Sequence, residues 1–342
     1  MLSEVKASGL FQGSFRVVSV LFQGCYRVVC LRFFDMMILC TECFKFTFRT
    51  PQTFPTLQTL HNPYLCSLIQ EIMPDLIFSP SNPRIQNIIK LQANSRERRS
   101  RSLFVIEGYR EISRAIISGI EVKELYVCPE LDRQGGSEDL ILRNKNMQVF
   151  EVGKNAFARI AYREGSDGLI ALAVPRNLSL NELKISAVPL VLILESVEKP
   201  GHLGAIMRTA DAAGVDAVIV CDPLTDIYNP NAIRSGVGCI FTCQIATCTT
   251  AEALEWLGSK KIKIYAAALS DTALAYHQMD FRMPTAIVMG TEATGLSREW
   301  LDYSDAQIII PMKGIADSLN VSTSAAILVY EAVRQREKGK GD

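Results

Sequence analysis

The chain reads as an α/β protein built on a mostly parallel sheet, for three reasons. Pro189-Leu-Val-Leu-Ile-Leu-Glu195 is a continuous apolar run of the kind that parallel strands bury on both faces. Strand-like and helix-like segments alternate through the second half of the chain. Two further apolar runs, reaching Met289 and Ile310, each end in a loop of Gly, Glu, Pro, Ser and Asn, which is how a chain forms a ligand cleft at the carboxyl ends of parallel strands. A length of 342 residues predicts two domains, since single cores stop growing at roughly 250–300 residues.

Residues 1–72 stand apart from the rest. Phe11-Gln-Gly-Ser-Phe-Arg-Val-Val-Ser-Val20 recurs as Phe22-Gln-Gly-Cys-Tyr-Arg-Val-Val-Cys-Leu31, readable as a β-hairpin or as a targeting segment low in acid. The simpler expectation is an extension that is disordered or translated upstream of a natural start at Met73. Arg27, Arg32 and Asp35 interrupt its apolar residues well short of the ~20 needed to span a membrane.

A small α/β domain is expected over 73–178. Ile85 to Leu91 and Gly108 to Ser118 carry apolar residues at helical spacing. Strands are expected at Leu103–Ile106, Glu124–Cys128, Gln148–Val152 and Gly168–Val174, with a loop at Gln134–Ser137 and a linker at Pro175–Leu183. The second domain, 186–342, opens with the 189–195 strand. A Gly-rich loop, a helix over Leu203–Ala213 and a strand over Ala217–Cys221 follow. Later strands are expected at Phe241–Ile245, Ile262–Ala268, Thr285–Met289 and Gln307–Ile310, and a last helix at Ser318–Arg336.

Lys+Arg and Asp+Glu both number 36, so bulk charge does not announce a nucleic-acid binder and any basic patch must be local. Lys90, Arg96, Arg98, Arg99, Arg101, Arg110 and Arg114 form one such cluster, which suits either a solvated face or an RNA-facing one. Five of ten cysteines precede residue 70, and Cys40-x-x-Cys43 lacks the second pair that a zinc site needs. The others sit in or beside apolar runs, which suits a reducing, cytoplasmic setting. No Gly-x-Gly-x-x-Gly, P-loop or Gly-x-Ser-x-Gly elbow is present, and His61, His202 and His277 are too scattered to suggest a metal site.

Three loops remain. The first places Gly201 and Gly204 where backbone must approach something closely, with Arg208 behind them as a planar, permanently charged phosphate partner or as a residue pairing within its own helix. The second, Gly290-Thr-Glu-Ala-Thr-Gly295, supplies Glu292 between two flexible glycines. The third, Pro311 to Asn320, ends in Ser318 and Asn320 at a helix start, where either residue also serves as an ordinary N-cap.

Together the loops resemble motifs 1, 2 and 3 of the SpoU/TrmH branch of the SPOUT RNA methyltransferases. The matching stretches are Leu203-Gly-Ala-Ile-Met-Arg-Thr-Ala-Asp-Ala-Ala-Gly214, Met289-Gly-Thr-Glu-Ala-Thr-Gly-Leu296 and Ile310-Pro-Met-Lys-Gly-Ile-Ala-Asp-Ser-Leu-Asn-Val321. Asp226-Ile-Tyr-Asn-Pro-Asn-Ala-Ile-Arg234 is similar to a further segment of the family, and Arg98 to Gly108 to the start of its small substrate-binding domain. The resemblance implies a sheet whose C-terminal part forms a deep trefoil knot, an exception to the rule against knots. It implies a small α/β domain resembling ribosomal protein L30e in front of that sheet, and a homodimer with its active site at the subunit interface.

The implied reaction is methyl transfer from S-adenosylmethionine to a ribose 2′-hydroxyl of rRNA or tRNA, with rRNA favoured because a separate substrate domain suits a structured target. The cofactor would be held by Met289, Gly290, Glu292, Gly295, Ile310, Met312, Ser318 and Leu319. The implied partners are RNA and a second copy of the chain, not DNA or a membrane, and no metal is implied. Arg208, Glu292, Ser318, Asn320 and His202 are the implied catalytic set. Arg208 suits phosphate binding and alkoxide stabilisation better than proton removal, because a guanidinium stays protonated. Glu292 and Asn320 would orient Arg208 and the ribose, and Ser318 would support the cofactor loop. His202 departs from the Asn usual at its position; it can donate a similar hydrogen bond or accept the hydroxyl proton. The competing reading is an RNA-binding or ribosome-assembly protein on the same fold with weak or lost catalysis.

Overall fold

The computed structural model describes residues 75–162 and 165–338 and the backbone of three earlier strands, β1 (Val17–Leu21), β2 (Arg27–Arg32) and β3 (Met36–Cys40). These three form an antiparallel sheet in chain order, and the two copies of the repeat pair with each other from Val17↔Leu31 to Leu21↔Arg27. The rest of the expected extension, including Met73, lies outside the described residues.

The small domain runs β4 (Asp75–Ile77), α1 (Pro83–Ala93), α2 (Ser95–Arg101), β5 (Phe104–Glu107), α3 (Tyr109–Ile117), β6 (Val122–Val127), α4 (Gly136–Arg143), β7 (Gln148–Val152), α5 (Lys154–Phe157) and β8 (Leu169–Ala173). Its five strands lie in the order β4-β7-β6-β8-β5, with β8 antiparallel to both neighbours. Asn82 and Asn94 cap α1 and α2 by accepting the amides of Arg84 and Arg96. The expected loop at Gln134–Ser137 gives way to the start of α4. There the Asp132 carboxylate accepts the amides of Gly136 and Ser137 at 2.8 and 3.0 Å, satisfying helix donors that local composition does not reveal.

The larger sheet follows with β9 (Leu190–Glu195), α6 (Pro200–Ala213), β10 (Ala217–Cys221), α7 (Pro230–Ser235), α8 (Cys239–Thr242), β11 (Ile245–Cys248), α9 (Thr250–Lys260), β12 (Lys263–Ala267), β13 (Leu274–Ala275), β14 (Thr285–Met289), α10 (Arg298–Tyr303), β15 (Ala306–Ile309) and α11 (Val321–Lys338). Its strands are all parallel, in the order β11-β10-β9-β14-β12-β15-β13. Both faces are covered. Leu190, Leu192 and Leu194 enter one apolar cluster with Ile206, Met207 and Leu328, while Val191 and Ile193 enter the other with Trp256, Leu257 and Trp300.

Most expected boundaries shift by a residue or two, and three starts move farther. The helix expected from Leu203 begins at Pro200, whose fixed φ and missing N–H suit a first helical position, so Gly201 and His202 are helical rather than loop. The strand expected at Phe241–Ile245 begins only at Ile245, because Phe241 belongs to α8 and is buried at 5.9 Å from the Phe104 ring. The last helix starts at Val321 rather than Ser318, since the Asn320 side chain accepts the Thr323 amide at 2.8 Å and ends the loop there.

The two sheets share one apolar cluster, in which Phe104 stacks on Tyr228 at 4.3 Å. A buried ion pair crosses the same seam: Arg98 Nε donates to Asp226 Oδ2 at 2.6 Å, and Arg98 Nη1 donates to the carbonyls of Leu91 and Gln92. Their side chains are 5% and 12% exposed. The basic cluster therefore divides. Arg98 and Arg114, which donates to the Val237 carbonyl, hold the seam, whereas Lys90, Arg96 and Arg99 are exposed. Removing one member of a buried pair strands the other charge, at a cost of about 3–5 kcal/mol. Asp226→Ala should lower the urea unfolding free energy by about that amount, and Asp226→Asn, which keeps an acceptor, by less.

Candidate active site

Four strand ends assemble the site. The chain leaves β9, β12, β14 and β15 at the same edge of the sheet, and their loops line a cleft of about 800 Å³. Its floor is apolar, with Met289, Ile308, Ile310 and Leu328; its rim is polar, with Thr291, Glu292, Ser318 and Asn320.

Glycine shapes one of these walls and seats the helix beside the cleft. At Gly290 a Cβ would lie 2.3 Å from the carbonyl carbon and oxygen of Gly295, so only glycine lets the loop fold back on itself there. The loop closes through reciprocal backbone hydrogen bonds between Thr291 and Gly295, the latter at φ +69°. At Gly204 a Cβ would lie 2.0 Å from Ser235 Oγ and 2.3 Å from the Ala232 carbonyl, so α6 and α7 meet backbone to backbone. Gly201 corrects the expectation that it too is held in a close approach: its nearest neighbour would be Asn231 Nδ2 at 3.8 Å, an ordinary contact.

Every residue expected to hold the cofactor lines this cleft: Met289, Gly290, Glu292, Gly295, Ile310, Met312, Ser318 and Leu319. His202 and Asn320 line it as well. Arg208 does not. It lies six residues beyond His202 on α6, roughly 9 Å along the axis and turned about 120° away, and its side chain is exposed. Among the described residues no carboxylate pairs with it.

Glu292 is the hub of the rim. Its Oε1 lies 2.6 Å from His202 Nδ1, and its Oε2 accepts from Lys199 Nζ. The hydrogen bond from Lys199 holds the carboxyl below the usual carboxylate range; partial burial opposes this, and the His202 ring and the Val321 amide at the start of α11 add to it. Glu292 is thus an anion that orders Lys199 and His202, not Arg208. Asn320 uses its side-chain oxygen to cap α11, accepting from Thr323 N and Ser322 Oγ. Ser318 is exposed, and its hydroxyl donates to Asp317.

Two contributions were not anticipated from the sequence. Lys199 stands three residues before His202, a spacing that places two side chains over neighbouring positions of a helix start. Ala267, Ala268 and Leu269 close the cleft from the end of β12, which their place at a strand's carboxyl end could have signalled. Among the described residues, no group of three or more His, Cys, Asp or Glu could hold a metal ion, and no helix is long and apolar enough to cross a membrane.

Comparison with known proteins agrees with this geometry. Residues 189–330 match the profile of the SpoU rRNA methylase family, and residues 82–171 that of the MRM3-like substrate binding domain. The chain is 30% identical over 254 residues to the 23S rRNA (guanosine(2553)-2′-O)-methyltransferase RlmP of Bacillus subtilis, covering 74% of this chain and 97% of that protein. It is 39% identical over 149 residues to the tRNA (guanosine(18)-2′-O)-methyltransferase of Escherichia coli, covering 43% of this chain and 64% of that one. The crystal structure of an AdoMet-bound rRNA methyltransferase from Sinorhizobium meliloti superposes with a TM-score of 0.70 at 26% identity, covering 76% of this chain and 97% of that one. A parallel sheet with its cleft at the carboxyl edge, the second and third motif loops on that cleft and a relative matched along nearly its whole length lead to one conclusion: this chain belongs to the SpoU rRNA methylase family.

Proposed function

We propose that the protein is an RNA 2′-O-ribose methyltransferase that uses S-adenosylmethionine and acts on rRNA. The observation that carries this reading is the convergence of all eight expected cofactor residues on one cleft, beside an ordered His202–Glu292 pair. The lining suits the cofactor: an apolar floor for an aromatic base, a polar rim for ribose and amino-acid groups, and an anionic Glu292 compatible with a sulfonium. Gly290, Gly295, Ile310, Met312, Ser318 and Leu319 would hold it, largely through backbone, with Met289 and Glu292 beside them. When bound, S-adenosylmethionine supplies a methyl group that is already electrophilic. The chain's own work is then to align a ribose hydroxyl and remove its weakly acidic proton.

In this reading Arg208 binds the target phosphate and steadies developing alkoxide charge. Its position away from its own cleft supports a homodimer in which the site is completed at the subunit interface. Glu292 and Asn320 order the rim, Ser318 supports the cofactor loop, and His202 replaces the hydrogen bond of the usual Asn. The strand order β9-β14-β12-β15, in which later strands enter between earlier ones, supports a C-terminal trefoil knot. The 73–178 domain, L30e-like in this reading, would bind RNA through the exposed Lys90, Arg96 and Arg99, and 186–342 would carry the reaction. The setting is cytoplasmic, consistent with free Cys128, Cys221, Cys239, Cys243 and Cys248. rRNA is favoured over tRNA because the match to the rRNA enzyme extends over 74% of the chain, against 43% for the tRNA enzyme.

Tritiated-methyl transfer to unmodified 23S rRNA and, separately, to unmodified total tRNA tests the reading. Label is expected in rRNA, and Arg208→Ala should lower the rate by about 10²–10³-fold, the usual cost of losing one charge-stabilising donor. RNA binding without transfer or cofactor affinity would instead indicate a non-catalytic assembly protein. Gly290→Ala should weaken S-adenosylmethionine binding at least about tenfold in calorimetry, equivalent to 1.4 kcal/mol, because its Cβ displaces the Gly295 backbone.

A further inference from the structure

We propose that Cys248 is a site of reversible oxidation by a peroxide, with Cys221 as the thiol that resolves it to a disulfide. Neither residue lines the cleft, and the pair does not depend on the methyltransferase reading.

The two sulfurs lie 3.9 Å apart. Strands β10 and β11 run parallel and in register, so that Val218 faces Ile245 and, three pairs on, Cys221 faces Cys248. Side chains alternate across a strand, so both thiols fall on the face that buries Ile219 and Ala246. Each cysteine is the last residue of its strand, where backbone hydrogen bonds fasten it. The Cys221 carbonyl accepts from Ser196 N at 2.9 Å, and the Cys248 carbonyl accepts from Asp222 N at 3.0 Å. Thr250 N and Oγ1 both donate to Asp222 Oδ2, at 3.1 and 2.9 Å, which ties the residues after Cys248 to those after Cys221. The thiols are thus held opposite one another by main chain on both sides.

Exposure divides their roles. Cys221 is fully buried, whereas Cys248 is half-buried at the end of an edge strand, so an oxidant meets Cys248 first. The hydrogen bond from Cys221 holds the Cys248 thiol below its ordinary pKa, against burial and the nearby Glu252 and Asp222 carboxylates. Cys221 is pushed up, first by that same hydrogen bond and then by burial. Cys248 therefore carries the thiolate, the reactive form.

Two displacements complete the reaction. The Cys248 sulfur attacks one oxygen of the peroxide and the O–O bond breaks, leaving a sulfenic acid and a hydroxide that takes up a proton as water. With the Cys248 anion gone, the larger of the two causes that raise Cys221 is gone too. The Cys221 sulfur then bonds to the Cys248 sulfur as the S–O bond breaks, and the departing hydroxide leaves as water with the Cys221 proton. Two thiols and one peroxide become one disulfide and two waters. Neighbouring strands stand about 4.8 Å apart, while a disulfide holds its Cβ atoms about 3.5–4.5 Å apart, so closure draws the end of β11 toward β10. A bridge held under such tension is readily reduced, which suits a reversible modification rather than a structural bond.

The test treats the reduced full-length protein with hydrogen peroxide, blocks the remaining thiols by alkylation, and maps all cysteines by mass spectrometry after digestion without reductant. The expected product is a Cys221–Cys248 cross-linked peptide that dithiothreitol returns completely to thiols. Folded Cys221→Ala should instead accumulate Cys248 sulfenic acid, trapped by dimedone, and pass to a sulfinic acid that dithiothreitol does not reverse. Cys248→Ala, at the half-buried position, supplies the contrast that survives if the first variant does not fold: Cys221 should then stay a thiol. Wild-type protein overturns the assignment if Cys248 stays reduced while other cysteines oxidise, if it reaches sulfinic acid with Cys221 still free, or if it bridges to any cysteine but Cys221.

Discussion

Three segments far apart in the chain meet at the carboxylate of Glu292: the start of α6 through Lys199 and His202, the loop after β14 that carries Glu292 itself, and the first amide of α11. A single anion holds an ammonium and a ring nitrogen, and it lies near the start of α11, where helix N-termini favour negative charge. The cleft keeps its shape because this contact joins motif loops that the sheet merely brings near one another. The lowered carboxyl pKa is the thermodynamic trace of the same arrangement, favouring the ionised state on which the contact depends.

Backbone proximity is the second constraint. Gly290 against Gly295 and Gly204 against α7 are contacts that no Cβ can enter, so the cleft wall and the helix carrying His202 are placed by main chain rather than by side chains. Such walls offer N–H and C=O groups to a ligand without the rotamer entropy that long side chains would lose. The seam to the small domain follows a different rule. There Arg98, Asp226 and the Phe104–Tyr228 stack fasten the first elements of that domain to the loop before α7.

Much of this was legible in the linear order of residues. The apolar runs at 190–195, 217–221 and 285–289 are strands because Val, Ile and Leu with both faces covered suit a buried parallel sheet, and the strand expected at Thr285–Met289 has those bounds in the structure. The three loops were recognisable because strand ends in such a sheet are where ligands bind. Less legible were the elements that depend on distant partners. Phe241 looks like a strand residue and becomes helical because its ring packs beside Phe104, and α4 begins where the Asp132 side chain captures its first amides. Neither contact has a periodicity in the sequence.

By itself, then, the sequence determined the parallel sheet and the cleft at its carboxyl edge, because apolar runs and loop composition act locally, while the family was legible in the resemblance of the motif stretches. Only the tertiary structure decided which charged groups work together. The family resemblance implied that Glu292 would serve Arg208; folding instead gives it to Lys199 and His202, while the pitch of α6 turns Arg208 to the outside. The physical reason is that electrostatic partnership falls steeply with distance and depends on direction. Both are fixed by how strands β9 and β14 pair and how α6 leaves the sheet, not by position along the chain.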